Sequence, residues 1–268
     1  MTQASELSYS GDFLTAFANW RARFTVLLAH FLTARFRGSK FGIIFTLLEP
    51  LLWCWGLVLL RTLFRNTQPN YGTSLVLFYA SGMFPFFLFM RISRRAVRVT
   101  TNPVQRPAQI TILDMYLANA LVETLIWTSI VILLFCGMYL YGIEQALPRS
   151  MSDTAASLSL LIIFGFGIGL VNAAIARFFQ MWTFVYAMGS RILMFGSGAL
   201  AVVAMLPVQI RNIVVWNPVA HGVEWFRVVI YGFYPDDIID RPYLAKSALV
   251  AVFIGIVADR AFVRFARR

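Results

Sequence analysis

The stretch RFRGSKFGIIFTLLEPLLWCWGLVLL, Arg35–Leu60, constrains this chain more than any other. A bilayer core of roughly 30 Å takes about 20 apolar residues in helix, and Phe41–Leu60 is long enough to cross it. It reads as the first membrane span. Arg35, Arg37 and Lys40 stand immediately before it, and basic residues flanking a first span hold that flank in the cytoplasm. The amino terminus is therefore expected inside, and every later loop inherits its side from this one. Composition agrees: 59% of the residues are hydrophobic and 13% charged, where soluble chains carry about 25% charged residues.

The charge excess needs its own account. Lys and Arg number 23 against 12 Asp and Glu, a formal net charge of +11, and all but Lys40 and Lys246 of the basic residues are Arg. Retention of cytoplasmic loops and contact with anionic lipid explain most of them. An anionic substrate is the sharper reading, and nucleic-acid binding lies far behind both. The first residues, MTQASELSYSGDF, lack the basic start and short apolar core of a signal peptide, so the first span is expected to be retained. Cys54 and Cys136 fall inside expected spans, which argues against a disulfide framework or a metal site.

Five further spans are expected at Thr73–Met90, Tyr116–Tyr139, Ala155–Ala176, Trp182–Leu206 and Tyr243–Arg260. Six spans return the carboxyl terminus to the cytoplasm, and sixteen of the 23 basic residues then fall inside against seven outside. The fold class is thus an all-α integral membrane protein, a single transmembrane domain over residues 1–268. Before the first span, residues 12–37 carry Phe13, Phe17, Trp20, Phe24, Leu27, Leu28 and Phe31 at three- and four-residue spacing. That pattern describes a helix lying in the membrane surface. Residues 91–115 form a cytoplasmic connection whose Thr111-x-x-Asp114 has capping-box spacing. Residues 207–242, on the far side, are too apolar for a loop, yet Pro207, Pro218, Gly232 and Pro235 break them below spanning length. They read as a re-entrant or interfacial helical hairpin, tolerated at membrane depth only when buried in protein or lining water.

Few residues suggest covalent chemistry. Gly38-Ser39-Lys40 lacks the upstream glycine of a P-loop, so no ATP hydrolysis is expected of this chain through that fold. Gly165-x-Gly167-x-Gly169 has no preceding strand and reads as a close helix-packing face; Gly196-Ser197-Gly198 reads likewise or as a helix break. Glu49, beside Pro50, and Glu123, in the third span, are costly at membrane depth. Each is either ion-paired to a neighbouring arginine or directly functional. Arg191 lies in the fifth span. Phe84, Phe86 and Phe87, with Tyr139 at an outer boundary, are packing or belt residues, or else line a path on which sugar rings can stack. In the run Asn217–Arg227, Asn217 caps, Pro218 opens the helix, and His221, Glu224 and Arg227 form a drifting polar stripe. The stripe either pairs with itself to secure the hairpin or serves as an outer gate.

Three runs carry a resemblance: R-F-R-G-S-x-x-G-x-x-x-x-L-L-E-P at Arg35–Pro50, P-x-Q-I-x-x-L-D at Pro107–Asp114 with Glu123 beyond, and N-P-x-x-H-x-x-E-x-x-R at Asn217–Arg227. In this order, and over most of the chain from Arg21, the sequence resembles the type-2 ABC exporter permeases of bacterial capsular polysaccharide export. Phe45 and Phe86 stand where that family commonly has tryptophan. The resemblance implies a homodimer in the bacterial inner membrane, seated on two copies of a separate ATP-binding subunit that holds ATP and Mg. It implies a periplasmic polysaccharide co-polymerase as neighbour and a lipid-linked acidic polysaccharide as cargo. By the same analogy, Arg35, Arg37, Lys40 and Glu49 would meet the substrate as it enters. Arg98, Arg106, Pro107, Gln109 and Asp114 would couple to the ATPase. Phe84, Phe86, Phe87, Tyr139 and Arg191 would line the channel, and Asn217, His221, Glu224 and Arg227 would form the periplasmic gate. Two rivals are an O-antigen or teichoic-acid exporter, and a membrane-embedded enzyme on lipid-linked sugars using Glu49, Asp114 and His221.

Overall fold

The protein is seen in a computed structural model that describes residues 13–36, 42–64, 68–101 and 111–265. Among the described residues the regular structure is entirely helical. The helices are α1 (Phe13–Phe36), α2 (Gly42–Leu63), α3 (Leu75–Thr101), α4 (Ile112–Leu140), α5 (Met151–Phe178), α6 (Trp182–Phe195), α7 (Val208–Val214), α8 (Pro218–Tyr231) and α9 (Arg241–Phe265).

Local chemistry sets several of the boundaries. At the start of α4, Thr111 Oγ1 accepts from the Asp114 amide at 3.1 Å while Asp114 Oδ2 accepts from the Thr111 amide at 3.0 Å, the reciprocal cap expected from the spacing. Ser150 caps α5 by accepting from the Asp153 amide at 3.2 Å. Asn217 caps α8 through the Val219 amide at 3.1 Å, with Pro218 at the first helical position. Three described helices are long and apolar enough to cross a membrane: Leu75–Val97 within α3, α4, and α5.

The bundle is built around α3, α5 and α9. The Gly165-x-Gly167-x-Gly169 run is a packing face on both sides of α5. A Cβ at Gly165 would lie 3.0 Å from the Phe89 carbonyl oxygen of α3, and one at Gly167 would lie 2.5 Å from the Val252 amide nitrogen of α9. Backbones this close exchange van der Waals contact that bulkier residues would forbid. α3 is largely sheathed by its neighbours, whereas α4 turns Leu125, Ile132 and Leu133 outward and α9 turns out Leu249 and Phe253. Such faces suit lipid or another apolar surface.

The structure departs from the sequence reading in three places. α3 does not stop at Met90 but runs on to Thr101, so the first part of the expected 91–115 connection is helix. Arginine ends an apolar run without ending a helix, because its intrinsic helix preference is high. The expected span Trp182–Leu206 is not one helix: α6 stops at Phe195, about 21 Å long at 1.5 Å per residue. Its break falls at Gly196-Ser197-Gly198. Thirdly, Phe24, Leu27, Leu28 and Phe31 of α1 pack against Met115, Tyr116 and Ala118 of α4 and Ala96 of α3, so part of the apolar row meant for the membrane surface docks on the bundle.

Candidate functional site

One end of the bundle holds the carboxyl end of α3 and the start of α4. There a cavity of about 320 Å³ is lined by Glu49 of α2, Phe87, Met90, Arg91, Arg94, Arg95 and Val97 of α3, and Thr183 and Tyr186 of α6. Positions 91, 94 and 95 share a helix face, as residues three and four apart do. Arg91 is ion-paired with Glu49, and its guanidinium carbon sits 5.1 Å from the ring centroid of Trp127 on α4. Arg95 Nε lies 2.8 Å from Glu123 Oε1, with Arg35 Nε 3.7 Å from the same oxygen. Both carboxylates are therefore ion-paired. The far wall is pinned: Tyr186 donates to Ser93 Oγ at 2.9 Å, and Trp182 Nε1 donates to Asn172 Oδ1 at 3.0 Å. Three arginines against one carboxylate give the lining an excess of positive charge, which favours an anion. Along α2 the cavity adjoins an apolar groove of about 670 Å³ lined by Glu49, Leu52, Trp53, Gly56, Leu57 and Leu60.

The other end is closed by a different kind of charge cluster. Beyond Phe195 the chain unwinds, and the carbonyls of Gly198, Ala199 and Ala201 need partners. Arg227, 0% exposed on α8, supplies them. Its Nη1 donates to the Gly198 and Ala201 oxygens at 2.5 and 2.9 Å, and its Nη2 to the Ala199 oxygen at 2.9 Å. Nη1 also reaches Glu224 Oε1 at 3.0 Å, and Glu224 Oε2 accepts from the Tyr234 hydroxyl at 2.8 Å. The guanidinium carbon lies 4.5 Å from the Phe78 ring centroid. Gly82 makes room for the cluster: a Cβ there would fall 2.2 Å from both the Ala199 oxygen and Arg227 Nη2. Asn217 Nδ2 closes the same turn by donating to the Gly196 oxygen at 2.7 Å. His221 is used at both ring nitrogens: the Asp240 amide donates to Nδ1 at 3.1 Å, which leaves Nε2 to donate to the Val215 oxygen at 2.8 Å.

The residues singled out from sequence are thus divided. Arg35 and Glu49 belong to the basic end, Glu49 in the cavity itself; Arg37 and Lys40 lie outside the described residues. Arg98 is in the last turn of α3, while Arg106, Pro107 and Gln109 lie outside the described residues. Asp114 closes the cap of α4 and accepts from Trp20 Nε1 of α1 at 3.1 Å. Phe84 and Phe86 are buried inside the single subunit, Phe87 lines the cavity, and Tyr139 and Arg191 are exposed. Asn217, Glu224 and Arg227 come together around the α6 break, whereas His221 bonds Val215 and Asp240. Glu49, Asp114 and His221 sit in three separate sets of contacts and form no joint centre. Among the described residues no group of His, Cys, Asp or Glu is placed to hold a metal ion.

Sequence reasoning did not single out Arg91, Arg94, Arg95 or Tyr186 as a site. The signal was present as R-x-x-R-R-x-x-R at positions 91–98, which is one face of a helix if the helix continues past Met90.

A long apolar bundle with charged clusters at its two ends, and no catalytic centre assembled from those candidates, fits a membrane permease. The sequence matches the family described as ABC-2 type transporter over residues 22–231. This chain belongs to the ABC-2 transporter family. Among ABC-2 relatives it is 30% identical over 233 residues to the polysialic acid transport protein KpsM of Escherichia coli, covering 84% of this chain and 88% of that one. It is 25% identical over 241 residues to the capsule polysaccharide export inner-membrane protein BexB of Haemophilus influenzae, covering 88% and 89%. It is 26% identical over 236 residues to the capsule polysaccharide export inner-membrane protein CtrC of Neisseria meningitidis serogroup B, covering 86% and 87%.

Proposed function

We propose that this chain is the membrane subunit of an ATP-driven exporter that moves a lipid-linked capsular polysaccharide out of the cytoplasm. The observation that carries the reading is the similarity to capsule-export inner-membrane proteins, which runs over 88% of this chain and 89% of BexB. In this reading the protein sits in the bacterial inner membrane with six spans and both termini in the cytoplasm. Two copies stand side by side on two ATP-binding subunits, which hold ATP and Mg and hydrolyse the nucleotide.

The basic end then faces the cytoplasm. The Arg91, Arg94 and Arg95 cavity receives the anionic end of the cargo, with Arg35, Arg37 and Lys40 on the approach to it. The segment from Arg98 to Asp114, with Arg106, Pro107 and Gln109, rests on the ATPase, and the Asp114 bond to Trp20 carries its movement to α1. The α7–α8 hairpin lies at the periplasmic mouth, beside a co-polymerase. Around it, the Arg227 cluster shapes the mouth. The exposed Tyr139 and Arg191, with Phe87, line a path between two copies.

The test is deletion of the gene in its own host, followed by complementation. The expected result is loss of one surface polymer with its accumulation inside the cell, restored by the native chain and not by the Arg91→Gln/Arg94→Gln double variant. Loss of O-antigen or teichoic acid instead of capsule would redirect the substrate. An unchanged surface and no ATPase co-purifying with the tagged chain would overturn the reading.

A further inference from the structure

Glu49 occupies an unusual position. It lines the basic cavity and also the apolar groove along α2, so it stands at the junction of a site suited to an anion and a site suited to hydrocarbon. Its side chain is 51% exposed, whereas that of Glu123, the other carboxylate paired at this end, is 3% exposed. A half-exposed ion pair is weak and exchangeable, because water and salt compete for both partners. Arg91 does not depend on Glu49 for its place: the Trp127 ring supports the guanidinium from α4. This pair links α2 to α3, with Trp53 approaching Phe87 at 6.3 Å between ring centroids.

We propose that Glu49 is a built-in competitor for this site: its carboxylate holds Arg91 until the phosphate of a membrane lipid anion, with its chains in the α2 groove, takes its place. The inference rests on the reading that the cavity receives an anionic end of the cargo. Displacing Glu49 from Arg91 also releases the polar tie between α2 and α3, so arrival of the anion loosens α2 from the bundle. The groove selects for a phosphate that carries hydrocarbon, and the competitor discourages anions that lack it.

The experiment uses the full chain in nanodiscs of phosphatidylcholine with increasing phosphatidylglycerol, with bound lipid read by native mass spectrometry. Glu49→Gln is expected to tighten phosphatidylglycerol binding about threefold, the size of a half-exposed ion pair. Arg91→Gln and Arg94→Gln should each weaken it. The double variant Glu49→Gln/Arg91→Gln should bind as Arg91→Gln alone, since the carboxylate acts only through Arg91. Weaker or unchanged binding in Glu49→Gln overturns the proposal, because Glu49 would then be positioning Arg91 or be irrelevant to it. Inorganic phosphate at millimolar concentration should leave bound lipid unchanged; equal displacement would show that the groove contributes nothing and would overturn the lipid-borne assignment. If both arginine variants bind like the native chain, the cavity does not receive an anion, and the cavity role in export falls too. If they weaken binding while Glu49→Gln is neutral, the export reading stands and the competitor alone is wrong.

Discussion

Glu and Arg meet at both ends of this bundle, and the two meetings differ in kind. Around Arg227 the charged groups are enclosed: the guanidinium is 0% exposed, and its two Nη groups donate to three backbone carbonyls, Glu224 and Tyr234, while the buried Nε is left without a hydrogen-bond partner. Around Arg91 the carboxylate is half exposed, the neighbouring arginines line a cavity, and the partner side chain comes from α2. An enclosed pair at low dielectric is costly to open, since each ion released without a partner carries its desolvation penalty. A pair at the edge of a cavity exchanges partners cheaply. Residue type and membrane depth do not separate these roles; the number of remaining open positions does. The Arg227 cluster therefore behaves as a clamp on the α6 break, and any movement at that end of the bundle carries α8 and residues 196–202 together.

The largest expected effect tests the closed end. Arg227→Gln leaves Glu224 buried and frees the Gly198, Ala199 and Ala201 carbonyls, a loss of about 3–5 kcal/mol. Thermal unfolding of the detergent-purified chain should show it as collapse of the monodisperse species. Full retention of stability would show that the cluster is not a clamp. Gly82→Ala attacks the same cluster from α3, since a Cβ would stand 2.2 Å from the Ala199 oxygen and Arg227 Nη2. Overpacking of this kind costs about 1–3 kcal/mol. The same substitution at Gly137, where nothing lies within 4 Å of the added Cβ, should not destabilise the chain and serves as the control.

Helix starts were open to sequence reading because their determinants are local: Thr111 with Asp114, and Asn217 with Pro218, lie within a few residues of the backbone groups they satisfy. The packing role of Gly165-x-Gly167-x-Gly169 was legible for another reason: small residues repeated along a helix mark a face of close approach whatever the partner, here Phe89 of α3 and Val252 of α9. The end of α6 was not, because the group that stabilises its unwound carbonyls, Arg227, lies 26 to 29 residues further along. The polar stripe His221, Glu224, Arg227 was recognised, yet spacing alone did not reveal that Glu224 and Arg227 face the break while His221 bonds Val215 and Asp240. At the basic end, hydropathy fell at Arg91 and hid the continuation of α3, and with it the arginine face that makes the cavity.

A smaller effect is expected where α1 meets α4. Asp114→Ala removes both the return half of the cap and the acceptor for Trp20, and losing a cap costs about 1 kcal/mol. Hydrogen exchange should quicken in the first turn of α4 and little elsewhere. Under the export reading the same variant should leave the subunit in the membrane and uncouple export from ATP hydrolysis. Normal export by this variant would remove Asp114 from the coupling path. Trp20→Phe separates the two contributions, because it deletes the hydrogen bond while keeping a ring to stack on Phe24, 4.9 Å away in the native chain.

The smallest stability effect is expected at the open end, and there it is the informative one. Arg94 is exposed at the cavity wall, so Arg94→Gln should shift stability by no more than about 0.5 kcal/mol, the range of surface substitutions. Export should nonetheless fall several-fold, because the cavity loses one of the three charges facing an incoming anion, and the difference from the native chain should narrow as ionic strength rises and screens the charge that was removed. Arg94→Lys keeps the charge and should recover most of the activity if the site reads charge alone. If it recovers little, the guanidinium fork is being used to bind the anion through two hydrogen bonds at once. A variant that lowers stability as much as it lowers export would place Arg94 with the clamp rather than the cavity, and the distinction between the two ends would fail at the residue where it is sharpest.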